Sequence, residues 1–281
     1  MQRILFHLGP IHVNTFGLMI ALGFLAALWV ARREATRKGI GEERVTDFAI
    51  YALLAGIVGA RLGYVFFYAP QYYLRNPLEI LFIHQGGMSI HGAVIGGVLV
   101  GIWYVRKHKL SFWKLADTLA PSLVLGEAIG RIGCDIFGKP MATAFPWGVT
   151  VNGQLLHPAQ VYEFLLDYLV FFLLWRKRQH IKYDGQLFLT YVILYAGVRG
   201  IVEFFRTNPV VYGPVSIAHV LSLAFIMIGL IAMVLIRQRG QISSGATAYG
   251  SLAVRENLWV QVLVLAGLIA ASLGLYYGFP I

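Results

Sequence analysis

Four residues that could do chemistry lie inside long apolar stretches of the sequence: Arg61, His91, Arg131 and Arg199. An arginine at the centre of a membrane helix costs at least about 2.5–3.5 kcal/mol, so such residues usually face a polar cavity or a partner. Arginine stays charged and presents a planar fork of donors that matches phosphate, and histidine can move a proton near neutral pH. The four residues therefore predict a site for an anionic lipid, with phosphoester or headgroup chemistry on a phospholipid.

The composition indicates the elements that must position these groups. Of the 281 residues, 58% are hydrophobic and 13% are charged, whereas a soluble domain carries roughly 25% charged residues. A helix needs about 20 apolar residues to cross a bilayer. We therefore predict an all-α, polytopic transmembrane helical bundle, with seven spans and an eighth at the C-terminus. The predicted spans cover residues 15–31, 47–69, 86–105, 115–134, 159–175, 185–205, 217–236 and 258–278.

The basic residues predict the orientation of these spans. Most of the 23 lysines and arginines follow the first, third, fifth and seventh spans. Because positive charge stays on the cytoplasmic side, the N-terminus is expected outside the cell. A rise of about 1.5 Å per residue then places Arg61, His91, Arg131 and Arg199 in the outer half of the bilayer. The net charge of +10 thus reflects topology, and no nucleic-acid partner is predicted.

The predicted domain organisation has three parts. Residues 1–239 form the catalytic bundle, residues 240–257 a polar linker, and residues 258–281 an accessory C-terminal transmembrane helix without charged residues in its span. Cys134 is the single cysteine, so no internal disulfide is possible. The sequence contains no P-loop, no H-E-x-x-H motif and no G-x-S-x-G motif. We therefore predict no nucleotide, no metal, no other cofactor and no serine nucleophile.

The sixth span carries a polar face. At helical spacing, Tyr195, Arg199, Glu203 and Arg206 lie on one side of an otherwise apolar helix. Such a face is costly in lipid, so it should line a cavity. An alternative remains open, in which each arginine only pairs with a carboxylate one turn away, as Arg131 with Glu127 and Arg199 with Glu203. Glu163 and Asp167 share one face of the fifth span and are expected to pair with neighbouring helices.

At these residues the sequence resembles the prolipoprotein diacylglyceryl transferases of bacteria. The resemblance rests on six segments in family order, and those containing His91 and Arg199 are the most specific. The matching segments are Gly-Leu-Met at 17–19, Gly-Ala-Arg-Leu-Gly-Tyr at 59–64, Gly-Gly-Met-Ser-Ile-His-Gly at 86–92, Gly-Arg-Ile-Gly at 130–133, His-Pro-Ala-Gln-Val-Tyr-Glu at 157–163, and the run 195–206.

The resemblance implies an activity, a location and a set of site residues. The family moves the diacylglyceryl group of phosphatidylglycerol to the lipobox cysteine of a prolipoprotein signal peptide, and glycerol 1-phosphate leaves. This is the first step of lipoprotein maturation. It implies a multi-pass protein of the bacterial inner membrane, with its active site toward the outer leaflet. Carried over by residue, the catalytic residues are His91, Tyr195, Arg131 and Arg199. The implied substrate-binding residues are Arg61, Tyr64, Ser89, Gly92, Glu203 and Arg206.

Two other points bear on this hypothesis. An anion or lipid transporter, or a lipid-binding protein built on the same bundle, also uses intramembrane arginines, but a transporter predicts charges along the full membrane depth. The sequence also departs from the family pattern at four positions, where tyrosine, asparagine, an acidic residue and glutamine are common. The residues at these positions are Phe16, Cys134, Lys139 and His219.

Overall fold

The fold is helical throughout its long elements, which confirms the predicted class of a helical membrane protein. The structure is a computed structural model that describes residues 4–8, 11–83, 86–238 and 257–278. The helices are α1 Thr15–Arg37, α2 Glu42–Phe67, α3 Pro70–Arg75, α4 Ile90–Lys107, α5 Phe112–Ile132, α6 Ala159–Lys177, α7 Gln186–Glu203, α8 Ile217–Gln238 and α9 Leu258–Gly278. A short 3-10 turn covers Pro77–Leu81.

Three short antiparallel hairpins connect or precede the helices, and none of them was predicted. They pair β1 Ile4–Leu8 with β2 Ile11–Asn14, β3 Val149–Val151 with β4 Gln154–Leu156, and β5 Val210–Tyr212 with β6 Val215–Ser216. In the second hairpin, Asn152 and Gly153 form the turn with φ values of 50° and 78°. Asn-Gly is a typical two-residue hairpin turn because both residues tolerate positive φ.

Five helices are long and apolar enough to cross a membrane, among the residues that the structure describes: α1, α2, α7, α8 and α9. The helices α5 and α6 are interrupted by ionisable residues, including Asp117, Glu127 and Arg131 in α5 and Glu163 and Asp167 in α6. The predicted count of eight spans stays a prediction. The predicted linker, residues 240–257, lies outside the described residues apart from Asn257.

The chain divides into two compact units, of which one is Gly39–Leu115. In this unit α2 and α4 approach each other through glycines. A Cβ atom on Gly92 would lie 2.1 Å from the carbonyl oxygen of Gly59, so neither position has room for a side chain. The helix α4 begins at Ile90, later than the predicted span start at 86. Gly86 and Gly87 have φ values of 86° and 75°, which a right-handed helix does not allow.

The other unit comprises Met1–Lys38 and Ala116–Ile281. Its core contains two groups of buried apolar side chains. One joins α1, α5, α6 and α9 and includes Val30, Leu125, Phe164 and Tyr276. The other joins α5, α6 and α7 and includes Val124, Leu174, Leu187 and Val202. The helix α6 contributes to both groups, so both of its sides are packed against helices of this unit.

A polar network closes one end of this unit, which we call the basic end. Glu34 in α1 is fully buried and binds both Arg37, at 2.7 Å, and Arg178. Asp117 in α5 accepts hydrogen bonds from the backbone N–H groups of Gly185 and Phe188, each at 2.8 Å. These bonds satisfy N–H groups at the start of α7, which has no residue of its own to cap it.

Polar contacts join α9 to α6 near the other end. The Nε2 group of Gln160 donates to the hydroxyl oxygen of Tyr276 at 2.7 Å. The hydroxyl groups of Tyr168 and Ser272 lie 2.8 Å apart. Hydrogen bonds between helices are among the forces that hold membrane bundles together. The last helix is therefore bound to the bundle by specific contacts.

Candidate active site

Arg131 lies in the last turn of α5 and contacts two carboxylates. Its Nη2 atom is 2.9 Å from Oε1 of Glu163 in α6 and 3.7 Å from Oε1 of Glu127, one turn back in α5. The Glu163 side chain has no exposed surface, whereas Arg131 keeps 23% of its side-chain surface exposed. A buried acid therefore fixes one edge of the guanidinium, and the arginine remains accessible.

The helix α7 brings a second arginine to the same carboxylate. Arg199 Nη1 lies 4.0 Å from Oε1 of Glu163, and its Nη2 lies 3.4 Å from Oε2 of Glu203. One turn earlier, the hydroxyl of Tyr195 donates to Oε1 of Glu127, so α7 also contacts the carboxylate beside Arg131. The two arginines that the resemblance implies to be essential thus meet at one acid.

Arg206, just beyond the end of α7, completes the group. Its Nη1 atom is 3.6 Å from Oε2 of Glu163 and its Nε is 3.9 Å from Oε2 of Glu203. Burial and the nearby charge of Arg199 lower the pKa of Arg206 from its ordinary value. An arginine remains charged in any case, so Arg206 brings a third positive charge to Glu163.

Glu203 is held by the hairpin that follows α7. Its carboxylate accepts hydrogen bonds from the Asn208 amide, with 2.9 Å to each oxygen, and from the Ser216 hydroxyl at 2.7 Å. The Ser216 backbone N–H donates to Nδ1 of His219 at 3.0 Å. The Glu203 carboxylate is therefore held in place by these hydrogen bonds as well as by its contacts with Arg199 and Arg206. Neither Asn208 nor Ser216 was a predicted site residue.

We name these residues the arginine cluster: Glu127, Arg131, Glu163, Tyr195, Arg199, Glu203 and Arg206. Within the described part of the chain, Arg199 Nη1 and Arg206 Nε make no hydrogen bond. Guanidinium groups can bind phosphate oxygens in pairs, with charge-assisted hydrogen bonds. Chemically, the cluster is suited to hold a phosphate and to stabilise negative charge that develops on it.

Glu163 belongs to the arginine cluster but was not among the predicted site residues. It was expected to pair with neighbouring helices, and it does so by contacting all three arginines of the cluster. Two features of the sequence indicate its importance. An acid inside an apolar span is costly, and Glu163 is the last residue of the matching segment 157–163. Asp167, one turn further, is also fully buried, and within the described part of the chain its oxygens have no hydrogen-bond partner.

Five other predicted site residues belong to the unit Gly39–Leu115, and one of them, Arg61, has its donors occupied. Its Nε and Nη2 atoms donate to the carbonyls of Ile80, at 2.9 Å, and Glu79, at 2.6 Å. Its Nη1 atom donates to the carbonyls of Gly86 and Gly87 at 2.6 and 3.2 Å. The guanidinium also lies over the Tyr73 ring. Arg61 is 4% exposed, and its guanidinium binds the backbone of residues 79–80 and 86–87.

The remaining four residues of this unit differ in their surroundings. Gly92 is packed against Gly59, and Ser89 is buried with its backbone N–H bonded to the carbonyl of Ala60 at 2.9 Å. Tyr64 stacks on Tyr68. His91 lies in the first turn of α4, and the protein leaves its side chain exposed. The roles implied for these residues stay predictions.

Comparison with known proteins gives a consistent result. The family model described as prolipoprotein diacylglyceryl transferase matches residues 3–235. The chain belongs to this family. A phosphatidylglycerol–prolipoprotein diacylglyceryl transferase of Bacillus cytotoxicus is 38% identical over 255 residues, covering 86% of this chain and 94% of that protein. One of Clostridioides difficile is 37% identical over 243 residues, covering 86% of this chain and 98% of that protein.

The match to the prolipoprotein diacylglyceryl transferases has a clear boundary. It includes every residue of the arginine cluster and ends before α9, which covers Leu258–Gly278. The cluster is therefore part of the family's common region. The helix α9, although joined to α6 by hydrogen bonds, lies beyond the matched residues. Membership of this bacterial family, together with several apolar helices, supports a multi-pass protein of the inner membrane.

Proposed function

We propose that this chain transfers the diacylglyceryl group of phosphatidylglycerol to a cysteine thiol of a prolipoprotein, in the maturation of bacterial lipoproteins. The observation that carries the proposal is the convergence of Arg131, Arg199 and Arg206 on Glu163, in a chain whose relatives bear this activity in their names. The acceptor would be the lipobox cysteine of the signal peptide. The lipid would be bound from the outer leaflet, with the N-terminus outside the cell.

The chemical step exchanges one bond for another. The cysteine sulfur attacks the glyceryl carbon that bears the phosphate ester, a C–S bond forms, and the C–O bond to the phosphate breaks. Glycerol 1-phosphate leaves with the bonding electrons, and the thiol proton passes to a base. A free thiol has a pKa near about 8.5, so a base or a positive field assists the step. In this mechanism Arg131 and Arg199 hold the phosphate and stabilise its charge as the C–O bond breaks.

Within this proposal the other residues have distinct roles. Glu163 positions the three arginines, and Tyr195 positions Glu127 and through it Arg131. Arg206 and Glu203 extend the polar side of the site, and Arg61 supports it by binding the backbone of residues 79–80 and 86–87. His91 is proposed to accept the thiol proton, and the competing role is to orient the lipid. If His91→Gln kept near-normal turnover while other variants lost it, the proton-acceptor role would be abandoned.

The test uses the purified full chain in detergent or in vesicles. Phosphatidylglycerol labelled in its diacylglyceryl part is incubated with a peptide that carries a lipobox cysteine, and the same peptide with serine in place of cysteine is the control. A thioether-linked diacylglyceryl peptide and free glycerol 1-phosphate are expected only with the cysteine peptide. Lipid binding without any product would instead favour the alternative, a lipid-binding or anion-transport protein, which anion flux in vesicles would then distinguish.

A further inference from the structure

A cavity of about 480 Å³ lies in the unit formed by Met1–Lys38 and Ala116–Ile281. Four helices contribute to it: α1, α5, α6 and α9. Its wall is almost entirely apolar and includes Val30, Leu125, Phe171, Leu265 and Leu268. No residue of the arginine cluster lines it, so it has no part in the proposed chemistry.

The packing of α9 explains why this cavity exists. The hydrogen bonds from α9 to α6 are made by Ser272 and Tyr276, in the second half of α9. The cavity lies beside the first half, where Val264 and Leu268 line it. Val264 is 55% exposed and Trp29 in α1, also at the cavity, is 60% exposed. The cavity is therefore open on its side to the surface that faces the membrane.

The polar mouth of the cavity lies at the basic end. Arg33 in α1 and Asn257 at the start of α9 both line it. The guanidinium carbon of Arg33 is 5.6 Å from the centre of the Trp29 ring, a cation–π contact that positions the charge. Within the described part of the chain, no carboxylate forms an ion pair with Arg33. An exposed cation above an apolar slot matches the head and tail of an anionic lipid, because each basic residue near a membrane surface attracts anionic headgroups.

We propose that this cavity is a binding site for an anionic phospholipid, with one acyl chain in the apolar slot and the phosphate beside Arg33. A pocket of this volume and lining is in the ordinary range for a small ligand. The lipid would fill the space between α9 and the bundle and stay bound through turnover. This inference does not depend on the transferase activity, because it concerns residues outside the arginine cluster.

The test is native mass spectrometry of the full chain, purified in mild detergent and then exposed to mixed micelles containing equal amounts of phosphatidylglycerol and phosphatidylcholine. Two variants perturb the site: Leu268→Trp fills the slot, and Arg33→Gln removes the charge at the mouth. The matched control is Arg32→Gln, because Arg32 is the adjacent basic residue and does not line the cavity. Diacylglyceryl transfer is measured in parallel for all proteins.

The expected result is one retained phosphatidylglycerol that the control keeps. Arg33→Gln should lower its occupancy by about fivefold, the effect of one basic group on an anionic lipid. Leu268→Trp should abolish this occupancy, and neither variant should alter the transfer rate by more than about twofold. Equal occupancy in all four proteins would overturn the proposal. Equal retention of phosphatidylcholine would also overturn it. A photoreactive residue in place of Val264, which lines the cavity, should form a cross-link to a lipid, and a cross-link to a protein would overturn the proposal as well.

Discussion

Arg131 Nη2 lies 2.9 Å from Oε1 of Glu163, a fully buried carboxylate on a different helix. This contact joins α5 to α6, and the same acid also meets Arg199 and Arg206 of the α7 region. The two arginines proposed to hold the phosphate, together with Arg206, are thus arranged around an anion that belongs to the protein. The geometry of the candidate site therefore depends on Glu163.

Glu163→Gln is expected to lower the turnover number by about 100-fold, because a small displacement of positioned groups has this effect on catalysis. The amide keeps the size of the side chain and loses the charge that the arginines share. Turnover is measured with labelled phosphatidylglycerol and the lipobox peptide. Glu43→Gln, at an exposed acid in the first turn of α2, is the control and should be fully active. Normal turnover of Glu163→Gln would remove this acid from the mechanism.

Lysine substitutions test whether the arginines act through their fork of donors. Arg131→Lys and Arg199→Lys keep the positive charge but lose the paired donors, and each should lower the turnover number by about 100-fold, as removal of one donor to a developing anion does. Binding of phosphatidylglycerol should change less than turnover. Arg237→Lys, in the last turn of α8, is the control. Full activity of both cluster variants would show that charge alone suffices.

The contact between α2 and α4 offers a matched pair of glycines. A Cβ atom at Gly92 would lie 2.1 Å from the carbonyl oxygen of Gly59, whereas one at Gly97 would meet nothing within 4 Å. Gly92→Ala should lower the free energy of unfolding by about 1–3 kcal/mol, as in an overpacked core, and this is measured as a lower thermal unfolding midpoint in detergent. Gly97→Ala should be neutral or stabilising by up to about 1 kcal/mol. If Gly92→Ala unfolds like the parent protein but does not bind lipid, the substrate-binding role predicted for Gly92 is the better explanation.

Lys38, just after α1, gives a prediction about pH. Burial lowers its pKa from the ordinary value of 10.5 to about 8, although the negative charges of Asp117 and Glu34 act to raise it. Between pH 8 and pH 10.5 the unfolded chain binds more protons at Lys38 than the folded chain, so the free energy of unfolding rises with pH. The rise amounts to about 3 kcal/mol at most. Thermal unfolding at pH 7, 8, 9 and 10 should show it in the parent protein and in Lys182→Gln, an exposed-lysine control. A Lys38→Gln variant that keeps the same rise would assign it to another group.

The helix α9 is expected to contribute to stability through its polar contacts. Tyr276→Phe removes the acceptor of the Gln160 amide and should destabilise the protein by about 1 kcal/mol, in the range measured for hydrogen bonds between membrane helices. The measurement is the thermal unfolding midpoint in detergent, with Trp259→Phe as the control, since Trp259 is 72% exposed. Equal midpoints for Tyr276→Phe and the parent protein would mean that the contact adds nothing to stability.

The long helices were predictable from the sequence because their apolar runs are nearly uninterrupted. The helix α9 has the predicted limits, Leu258–Gly278, and α7 differs from its predicted span by only a few residues. The predicted start of α4 at residue 86 was wrong because Gly86 and Gly87 have positive φ, which the sequence alone does not indicate. The second hairpin was missed because the Asn152–Gly153 turn lies between strands of three residues each, too short to give an alternating pattern.

The arginines of the candidate site could be predicted from the sequence, but the way they are arranged around Glu163 could not. Pairing one turn away along a helix follows from the sequence, and the structure has it for Arg131 with Glu127 and for Arg199 with Glu203. The meeting of three arginines at Glu163 depends on how α5, α6 and α7 pack, and no local pattern specifies that packing. Arg61 shows the same limit, because its partners are backbone carbonyls at residues 79–80 and 86–87, which no side-chain pattern indicates.

The pairs within single helices also bear on how the chain enters the bilayer. Arg131 has Glu127, and Arg199 has Glu203, on its own helix, so α5 and α7 each bring a counter-charge when they leave the translocation machinery. The interior of α6 carries Glu163 and Asp167 and no cation. During biogenesis α6 is thus the span that depends on its neighbours, and α5 precedes it in the order of synthesis. A ribosome–nascent chain stalled before α7 would hold Glu163 with Arg131 of α5 available as a partner, and still without Arg199 and Arg206.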